Sequence, residues 1–366
     1  MPLSNINADQ YQLLLAEKAA RVEALYQPLA APVAEVVASQ ELGYRMRAEF
    51  RIWHKGDDLF YAMFKPGDPK TPYRIDSFPI ASQAIQFAMP ALRNELLANT
   101  CLRKQLFQVE FLSTLSGELL ITLIYHRPLD EQWQHAALLL EVTLNARVVG
   151  RSRKQKITLS NDYVEEVLPL GDATFRYRQY EQGFTQPNAQ VNCKMIEWAC
   201  RHAQGLPGDL LELYCGNGNF TLPLARYFNS VLATEVSKSS IRAALHNRDI
   251  NQVDNLELAR LSAAEVSEAL AGKREFRRLA ALSKPLQDYR FSTVFVDPPR
   301  AGLDDATTQL VCEFDHIIYI SCNPQTQVKN LASMCKTHVI KSLALFDQFP
   351  YTDHMECGVF LVRRRD

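Results

Sequence analysis

From residue 171 onward, short apolar runs alternate with longer stretches of helical periodicity. The apolar runs predict strands over residues 210–214, 231–234, 256–261, 293–296 and 317–320. A chain that alternates strand and helix in this way folds into a doubly wound, mostly parallel sheet covered by helices. The pattern therefore predicts an α/β domain over residues 171–366, which opens with a helix near 188–204.

The last two apolar segments of the chain depart from this alternation. Residues 339–346 and 358–362 are joined only by a short connection rich in turn residues, DQFPYTDHMEC. Two parallel strands need a crossover of about a dozen residues or more, usually with a helix. The final strand is therefore predicted to run antiparallel within an otherwise parallel sheet.

The first half of the chain has a different organisation. A helical stripe over residues 8–28 is followed by two hairpin patterns, which pair 44–53 with 59–64 and 107–114 with 119–125. Helical segments near 82–99 and 131–145 accompany the hairpins. This grouping predicts an antiparallel α+β domain over residues 41–170, preceded by a helical extension over residues 1–40.

The composition excludes several classes of protein. The chain has 366 residues, of which 47% are hydrophobic and 22% charged, as in a globular protein with two domains. It begins without a basic and apolar leader and contains no apolar run of the roughly 20 residues that span a bilayer. None of its eight cysteines forms a C-x-x-C pair. We therefore expect a cytosolic protein with reduced thiols and with neither a metal ion nor an iron–sulfur cluster.

Basic side chains are concentrated in two stretches, although the net charge is only −1. YRMRAEFRIW alternates Arg45, Arg47 and Arg51 with aromatic residues, and residues 145–161 contain no acidic residue. The basic residues of the second stretch are Arg147, Arg151, Arg153, Lys154 and Lys156. Such stretches suit phosphate contact combined with base stacking, and a solvated surface explains them equally well.

A glycine-rich turn follows the first strand of the predicted parallel sheet. LELYCGNGNF places Gly216 and Gly218 between this strand and a helix, and Thr221 stands where dinucleotide-binding turns have a third glycine. Glu235 ends the second strand about 20 residues downstream, where an acidic residue can bind ribose hydroxyls. The combination indicates a nucleoside-containing cofactor, and a purely structural turn is the alternative.

Three further residues lie at the predicted strand ends. In FVDPPR, two prolines stop the strand and fix Asp297 at its exit. In HIIYISCNPQT the next strand ends at Cys322, and in HMECG the antiparallel strand begins at Glu356. Carboxyl ends of parallel strands and the start of an antiparallel strand share one edge of a sheet, so we expect all of these residues on one rim. Taken singly, Asp297 suits a turn and Cys322 a packed core.

A thiol, a carboxylate and a nucleoside cofactor suit the C5-methylation of uracil. A thiolate that adds to C6 makes C5 nucleophilic enough to take a methyl group, and a base must then remove the C5 proton. Cys322 would be the nucleophile and Glu356 the proton acceptor. Because an unperturbed thiol has a pKa of about 8.5, a nearby hydrogen-bond donor or cation must help to ionise it, and Arg300 is a candidate. The target base must also be flipped out of its stack.

The sequence resembles the uracil-5-methyltransferase family of RNA-modifying enzymes along essentially its whole length. The resemblance is carried by the motifs YRMRAEFRIW, RKQLFQVEFL, GFTQPN, LELYCGNGNF, FVDPPRAGLD, YISCNP and FDQFPYTDHMECG. It implies a class I, Rossmann-like methyltransferase fold, S-adenosylmethionine as the methyl donor, and the roles of Cys322 and Glu356 given above. Motif matching implies cofactor contacts, beside Gly216, at Gln186, Tyr214, Asn219, Glu235 and Asp297.

The resemblance also bears on the substrate. Arg51, Phe107 and His126 match stretches that face RNA in this family, with core packing as the alternative for Phe107 and a surface strand end for His126. Ribosomal-RNA members carry an N-terminal barrel and a four-cysteine iron–sulfur site, whereas the first cysteine here is Cys101. The resemblance therefore implies methylation of uridine 54 in the T loop of transfer RNA. Ribosomal RNA and other RNAs with T-loop-like folds stay open as substrates.

Two other functions compete with this interpretation. An amino-group methyltransferase would share the Asp-Pro-Pro turn, but it usually has an aromatic residue where Arg300 stands and needs neither Cys322 nor Glu356. An RNA-binding or RNA-remodelling protein would use the fold without chemistry. The presence of both reactive residues favours the methyltransferase.

Overall fold

The computed structural model describes residues 6–65 and 67–365, which group into two compact units. The first unit contains residues 6–9, 40–167 and 178–189, and the second contains 10–39, 168–177 and 190–365. These bounds differ from the predicted domains because the N-terminal helical segment groups with the second unit. The chain also returns to the first unit at 178–189 before its last long segment.

Ten α-helices form in the described residues. They are α1 (Tyr11–Glu23), α2 (Gln83–Ala98), α3 (Thr100–Arg103), α4 (Glu131–Leu144), α5 (Ala189–Ala203), α6 (Thr221–Leu224), α7 (Lys238–Ile250), α8 (Ala263–Leu270), α9 (Asp305–Val311) and α10 (Pro324–Met334). Within the described ranges, no helix combines the length and the apolar character that crossing a membrane requires.

Seventeen strands accompany these helices in the same residues. The strands before residue 160 are β1 (Glu35–Val37), β2 (Arg47–Lys55), β3 (Asp58–Lys65), β4 (Asp68–Ile75), β5 (Leu106–Ser113), β6 (Leu119–Tyr125), β7 (Arg147–Ser152) and β8 (Gln155–Thr158). The later ones are β9 (Tyr163–Leu170), β10 (Ala173–Tyr180), β11 (Asp209–Leu213), β12 (Val231–Thr234), β13 (Leu256–Ala259), β14 (Phe291–Val296), β15 (His316–Ser321), β16 (His338–Phe346) and β17 (Glu356–Arg363).

The second unit is built on an eight-stranded sheet with the order β1-β16-β17-β15-β14-β11-β12-β13. Strands β11 to β15 pair in parallel, which confirms the predicted doubly wound sheet. Strand β17 is antiparallel to both of its neighbours, β15 and β16, which confirms the predicted direction of the final strand. It lies inside the sheet, because β16 and the short β1 extend the sheet beyond it.

The central strands of this sheet are apolar on both faces. Residues 317–320 of β15 and 356–361 of β17 are all buried. A strand that helices cover on both sides has no solvent face, so its sequence reads as a continuous apolar run. This is why these strands can be recognised in the sequence as continuous apolar segments but not by an alternation of apolar and polar residues.

The first unit is built on a seven-stranded sheet with the order β4-β3-β2-β5-β6-β7-β8. Both predicted hairpins form, as β2–β3 and β5–β6, and helices α2 and α4 lie where helices were predicted. The sheet is antiparallel except for β6 and β7, which are parallel and are connected through α4. Phe50 and Phe111 are buried on one face, whereas Arg51 and Gln108, which pair across β2 and β5, are on the other and only half-buried.

A buried hydrogen-bond network joins β15 to β17 in the second unit. The Tyr26 hydroxyl donates to Gln327 Oε1 at 2.5 Å. Gln327 Nε2 in turn donates to the carbonyl oxygen of Tyr319 (3.0 Å) on β15 and to that of Cys357 (3.3 Å) on β17. Because each of these groups is paired inside the core, the network fixes the spacing of the two strands near their ends.

Replacement of Tyr26 by phenylalanine is expected to destabilise the protein by about 1–3 kcal/mol, because Gln327 Oε1 is then buried without a donor. Urea unfolding of the variant measures this loss. A double-mutant cycle with Gln327→Met should give a coupling free energy of about 0.5–3 kcal/mol. Strictly additive effects would show that the two side chains do not interact as described.

Candidate active site

The carboxyl ends of the central parallel strands lie in one row. The last residue of β11 pairs with the last residue of β12 and with the last residue of β14. The residues that follow are Glu235, Tyr214 and Asp297, which therefore lie side by side on strands about 4.8 Å apart. The row lies at the position where the chain order of the strands reverses, between β11 and β14. Open α/β sheets bind their ligands at such positions.

Cys322 and Glu356 continue this row. Ser321 at the end of β15 pairs with Cys357 of β17, so the next position along the pair is Cys322 opposite Glu356. Residues opposite each other in an antiparallel pair have Cα atoms about 4.5–5.5 Å apart. In strand order, the row reads Glu356, Cys322, Asp297, Tyr214 and Glu235. The structure thus brings together four residues that the sequence analysis expected on one rim, Glu235, Asp297, Cys322 and Glu356, and adds Tyr214 to them.

The glycine-rich turn after β11 is bound to Glu235. Gly216 N donates to Glu235 Oε2 (3.2 Å), and Ser237 N donates to Oε1 (2.7 Å). Gly216 has a φ of 55°, and a Cβ atom at this position would meet no atom within 4 Å. The backbone therefore opens onto free space beside a carboxylate whose oxygens each keep a lone pair. The helix that follows, α6, is a single turn, so the short turn itself shapes this part of the site.

Asn219 in the same turn is fixed by two partners. Its side-chain amide exchanges hydrogen bonds with that of Asn192, at 2.8 Å in both directions. Its backbone carbonyl accepts a hydrogen bond from the Tyr177 hydroxyl at 3.0 Å. Asn192 was not identified from the sequence, because nothing in its helical position on α5 distinguishes it. The turn is thus held in shape before any ligand is present.

Tyr214 adopts a strained backbone conformation at the exit of β11. Its φ is 64°, in the left-handed region that residues other than glycine rarely adopt. Such a conformation costs on the order of 1–3 kcal/mol and is concentrated at functional sites. Burial raises the pKa of its phenol, and the carboxylate of Asp304 acts in the same direction.

Burial raises the pKa values of the carboxyl groups at this edge. Burial raises the pKa of Asp297 to about 7. Glu356 is buried, and its pKa lies well above the usual range because of burial and the nearby Asp297. Glu212, which points into the same region from β11, has a pKa of about 8, again mainly through burial. Its Oε2 atom has no hydrogen-bond partner within the described part of the chain, and the sequence analysis did not identify it.

The Cys322 thiol is also held in its neutral form. Burial, followed by the carboxyl groups of Glu356 and Asp297, raises its pKa to about 11. The exposed Arg300 lowers the pKa, as the sequence analysis expected, but this effect is smaller than the others. At neutral pH only about one thiol in 10⁴ would be ionised at this pKa. The protein alone therefore holds Cys322 as a neutral thiol.

The turn that carries Cys322 is tied to the loop that carries Arg300. The carbonyl oxygen of Arg300 accepts hydrogen bonds from Asn323 Nδ2 (3.1 Å) and Thr326 Oγ1 (3.4 Å). Asn323 N donates to Ser321 Oγ at 3.2 Å, which closes the turn at the end of β15. These contacts set the position of Arg300 relative to the thiol through the backbone.

Gln186 lies in the first unit, in the segment 178–189. Met46 N donates to the carbonyl oxygen of Pro187 (2.7 Å), and Arg45 forms an isolated β-bridge with Asn188. Gln186 Oε1 is buried and has no hydrogen-bond partner among the described residues. A buried acceptor without a donor is the kind of group that a ligand would satisfy.

Arg51, Phe107 and His126 form a continuous stack in the first unit. The guanidinium carbon of Arg51 lies 3.7 Å from the centre of the Phe107 ring, and the His126 ring lies 4.0 Å from it at an interplanar angle of 28°. His126 is exposed, and the other two are half-buried. Core packing of Phe107 is therefore wrong as an explanation, because its ring lies between two cationic or polar planes at the surface.

Most cations of the two basic stretches have partners inside the first unit. Arg47 is not part of a solvated face, since it donates to the backbone carbonyls of Glu181 (3.1 Å) and Gly183 (3.0 Å). In the second stretch, three cations have acidic partners. These pairs are Arg147–Glu118 (2.7 Å), Arg151–Glu181 (3.3 Å) and Lys156–Asp162 (2.8 Å).

Arg153 and Lys154 are the exception in this stretch. Both are exposed in the turn between β7 and β8 and have no acidic partner in the residues that the structure covers.

No group of three or more His, Cys, Asp or Glu side chains in those residues could hold a metal ion.

Comparison with known proteins identifies related sequences across the whole chain. A family model described as tRNA (uracil-5-)-methyltransferase matches residues 10–364. A protein of Aromatoleum aromaticum named tRNA/tmRNA (uracil-C(5))-methyltransferase is 53% identical over 364 residues, which cover 100% of this chain and 98% of the relative. A relative of the same name from Acinetobacter baumannii is 53% identical over 354 residues, 96% of this chain and 98% of its own.

A solved structure shares the fold. The Pyrococcus abyssi tRNA (uracil-54, C5)-methyltransferase in complex with S-adenosyl-L-homocysteine has a TM-score of 0.72 and 20% sequence identity, covering 98% of this chain and 85% of that one. At this identity the likeness shows the fold, and it confirms the predicted methyltransferase architecture.

Alkylation of the protein by iodoacetamide is expected to report the protected state of Cys322. Because the thiol has a pKa of about 11, its alkylation rate should rise steadily from pH 7 to pH 10 without a plateau. Arg300→Ala should slow alkylation at pH 8 by about 2–5-fold, since an exposed cation contributes roughly 0.2–1 kcal/mol. Peptide mapping separates Cys322 from the other cysteines.

Lys329→Ala is the matched control, because Lys329 is an exposed cation on α10 that does not act on the thiol. A plateau below pH 9 in the wild type would contradict the assigned electrostatics.

Proposed function

The chain belongs to the tRNA (uracil-5-)-methyltransferase family, and we propose that it methylates C5 of uridine 54 in the T loop of transfer RNA. The observation that carries the proposal is the position of Cys322 opposite Glu356 on neighbouring antiparallel strands. The bacterial relatives are named for transfer RNA and transfer-messenger RNA, and the archaeal structure for uracil 54.

S-adenosylmethionine is the proposed methyl donor, and the site fits it. Glu235 keeps a lone pair on each oxygen for ribose hydroxyls, and the open side of Gly216 lets a ligand approach the backbone. Tyr214, Asn219 and Asp297 line the same edge, and Gln186, in the first unit, has a buried acceptor without a partner among the described residues. When bound, the donor supplies an electrophilic methyl group on a positively charged sulfur.

Cys322 is the proposed nucleophile. Its thiolate adds to C6 of the flipped uracil, and the electron pair of the C5–C6 double bond moves to the C4 carbonyl oxygen as an enolate. The enolate returns these electrons through C5 when C5 bonds to the methyl group, and the electron pair of the former methyl–sulfur bond stays on the sulfur, so that S-adenosylhomocysteine would leave. C5 then carries both the new methyl group and its original proton, and the uracil is bonded to sulfur at C6.

Glu356 completes the reaction by removing the C5 proton. The electrons of the C5–H bond re-form the C5–C6 double bond, and the C6–S bond breaks to return the Cys322 thiolate. Its raised pKa makes the ionised Glu356 a stronger base than an ordinary glutamate. The carboxylate stands opposite Cys322, on the strand pair where the bond to sulfur breaks.

The raised pKa values of Cys322, Asp297 and Glu356 explain how ligand binding can control the reactivity of the thiol. Cys322, Asp297 and Glu356 each raise the pKa of a neighbour when they are charged. A positive charge brought among them lowers the pKa of all three. The thiol is therefore expected to become reactive only in the loaded site, which protects it from modification in the free protein.

The first unit is the proposed RNA-recognition unit. The stack of Arg51, Phe107 and His126 offers a flat surface that ends in an exposed imidazole. Unstacked bases of RNA loops bind to such aromatic and guanidinium planes, at about 1–3 kcal/mol per base. Arg300 is exposed in the second unit and is proposed to contact the RNA near the thiol.

Methylation of a transfer-RNA transcript tests the proposed function. The wild type should convert one uridine, at position 54, to 5-methyluridine, and a transcript with cytidine at this position should stay unmodified. Cys322→Ala should give no product, and Glu356→Gln should be slowed by about 10²–10⁴-fold and retain RNA covalently. Nucleoside analysis by mass spectrometry measures the product. Product formation by Cys322→Ala would contradict the mechanism.

The choice of substrate needs a separate comparison. A T-arm fragment, a transfer-messenger RNA and a ribosomal-RNA hairpin are to be offered at equal concentrations. Faster methylation of the ribosomal hairpin than of the T-arm fragment would overturn the assignment to transfer RNA.

Three cations flank the stack at the same edge of the seven-stranded sheet. Lys104 lies just before β5, next to Gln105, whose carbonyl accepts from His126 N at 3.0 Å. Arg153 and Lys154 lie at the end of β7, which runs parallel to β6 and is in register with it up to the pair of Ile124 with Arg151.

The turn that carries Arg153 and Lys154 is fixed in place. Gln155 binds both the backbone nitrogen (2.9 Å) and the backbone oxygen (2.8 Å) of Leu129, in the loop after His126. We propose that the flanking cations, Lys104, Arg153 and Lys154, contact RNA phosphates on both sides of the stack.

Replacement of the three flanking cations by serine is expected to weaken RNA binding through charge alone. Each lost phosphate contact should reduce the slope of log Kd against log salt concentration by about 0.7–0.9. The methylation rate at saturating RNA should stay unchanged, since the chemistry takes place on the second unit. Filter binding at several salt concentrations measures the slope.

The matched control replaces Lys273, Lys336 and Lys341 by serine. These lysines are exposed on the second unit, and their replacement removes the same amount of charge. Equal slopes for both triple variants would contradict the assignment of the flanking cations.

A further inference from the structure

Glu356 is the first residue after the segment that connects β16 to β17. We call this segment, residues 347–355, the base loop. A loop that leads directly into a catalytic residue must be held firmly, because a misplacement of that side chain by 1 Å can reduce the rate about 100-fold. The contacts that hold the base loop therefore bear on the proposed proton transfer.

One lysine of the N-terminal helix binds the base loop near both of its ends. Lys18 on α1 donates from Nζ to Asp347 Oδ1 (2.5 Å), to the carbonyl oxygen of Phe349 (3.1 Å) and to that of His354 (3.0 Å). An ammonium group has three protons, so all of its donors are used. The three acceptors belong to the first, third and eighth residues of the loop.

The contact between Lys18 and Asp347 is buried. The side chains of Lys18 and Asp347 are only 6% and 1% exposed, and burial lowers the pKa of the lysine. A buried ion pair is seldom more stabilising than a pair of apolar side chains of similar size, because both charges lose their hydration. Stability alone therefore does not explain why an ammonium group occupies this position.

The helix that carries Lys18 is itself firmly packed. Tyr11, Leu15, Lys18 and Val22 are buried and lie on one face of α1. The backbone nitrogen of Asp347 donates to the carbonyl oxygen of Val37 at the end of β1, at 3.0 Å. The N-terminal segment thus holds the start of the base loop with both a side chain and a strand.

The geometry links this anchor to Glu356. The backbone of Glu356 pairs with Phe346, the residue before the base loop, and His354 lies two residues before Glu356. Lys18 therefore joins the two ends of the base loop beside the end of the β16–β17 pair. Loss of the ammonium group would free the carbonyl of His354 and allow the residues before Glu356 to move.

We propose that Lys18 is a positioning residue for Glu356, a proposal that rests on the function proposed above. Displacement of Glu356 should leave the addition of Cys322 and the methyl transfer largely intact. Only removal of the C5 proton should be slowed. The methylated uracil would then stay bonded to Cys322 for longer.

Two variants separate positioning from stability. Lys18→Met alone leaves the buried carboxylate of Asp347 without its ammonium partner, so it is expected to lower stability. The double variant Lys18→Met/Asp347→Leu replaces the ion pair by apolar side chains of similar size and should restore stability. It does not restore the hydrogen bonds to the carbonyls of Phe349 and His354. The double variant is therefore the informative one.

A single-turnover experiment with excess enzyme, transfer-RNA transcript and methyl-labelled S-adenosylmethionine measures the effect. After denaturation, the labelled protein–RNA complex and the free methylated RNA are counted at each time. In the double variant, release of product from the labelled complex should be about 10–100-fold slower than in the wild type. Formation of the complex should change by less than a factor of about three, within the usual context dependence of a distant substitution.

Deuterium at C5 of the target uridine gives a second readout. Release in the double variant should show a primary isotope effect, because proton removal becomes rate-limiting. A general loss of structure would slow formation and release alike and would not create this isotope effect.

Arg21→Met is the matched control on the same helix and loop. Arg21 forms an ion pair with Asp353 at 2.8 Å, but the two side chains are 58% and 90% exposed. An exposed pair of this kind contributes little. This variant should release product at the wild-type rate.

Release at the wild-type rate by a folded double variant would overturn the proposal, as would equal slowing of formation and release. Failure of the proposed function is a different result, because the wild type itself would then give neither a labelled complex nor methylated RNA.

Discussion

The pairing of β17 between β15 and β16 is the constraint on which the site depends. Because β17 runs against β15, the end of one strand lies beside the start of the other, and Cys322 stands opposite Glu356. A parallel strand in the same place would put its first residue at the far edge of the sheet. The connection between β16 and β17 is too short for a crossover, so the chain has no parallel alternative. Strand direction thus places the proposed nucleophile and the proposed base together.

The electrostatics of the site follow from where this edge lies. Asp297, Cys322 and Glu356 meet at the rim of a sheet whose central strands are buried, and burial favours the neutral form of each. Among the described residues, Arg300 is the cation that lowers the pKa of Cys322, but it is exposed and its effect is too small to reverse the effect of burial. The thiol is therefore neutral in the free protein, and the proposed function requires that charge arriving with the ligands makes it reactive.

Residues that follow strands could be predicted from the sequence, whereas residues that act through distant contacts could not. Cys322, Asp297 and Glu235 were placed correctly on one edge because each directly follows an apolar run. Lys18 contacts Asp347, which lies 329 residues later in the sequence. The helical pattern shows only that Lys18 is a charged residue on an otherwise apolar helix face. Strands β1, β4 and β7 were also missed. Strand β1 is short, β4 is interrupted by proline, and β7 contains arginine. They form because a neighbouring strand offers hydrogen bonds.

The central claim, that Cys322 bonds to C6 of the uracil and Glu356 then removes the C5 proton, is tested most directly with transfer RNA that contains 5-fluorouridine. Fluorine at C5 cannot leave as a proton, so the reaction should stop after methyl transfer. In the presence of S-adenosylmethionine, we predict a complex that survives denaturation and carries the methylated nucleotide on Cys322 by peptide mapping. Absence of a covalent complex, or attachment to another cysteine such as Cys357, would contradict the account.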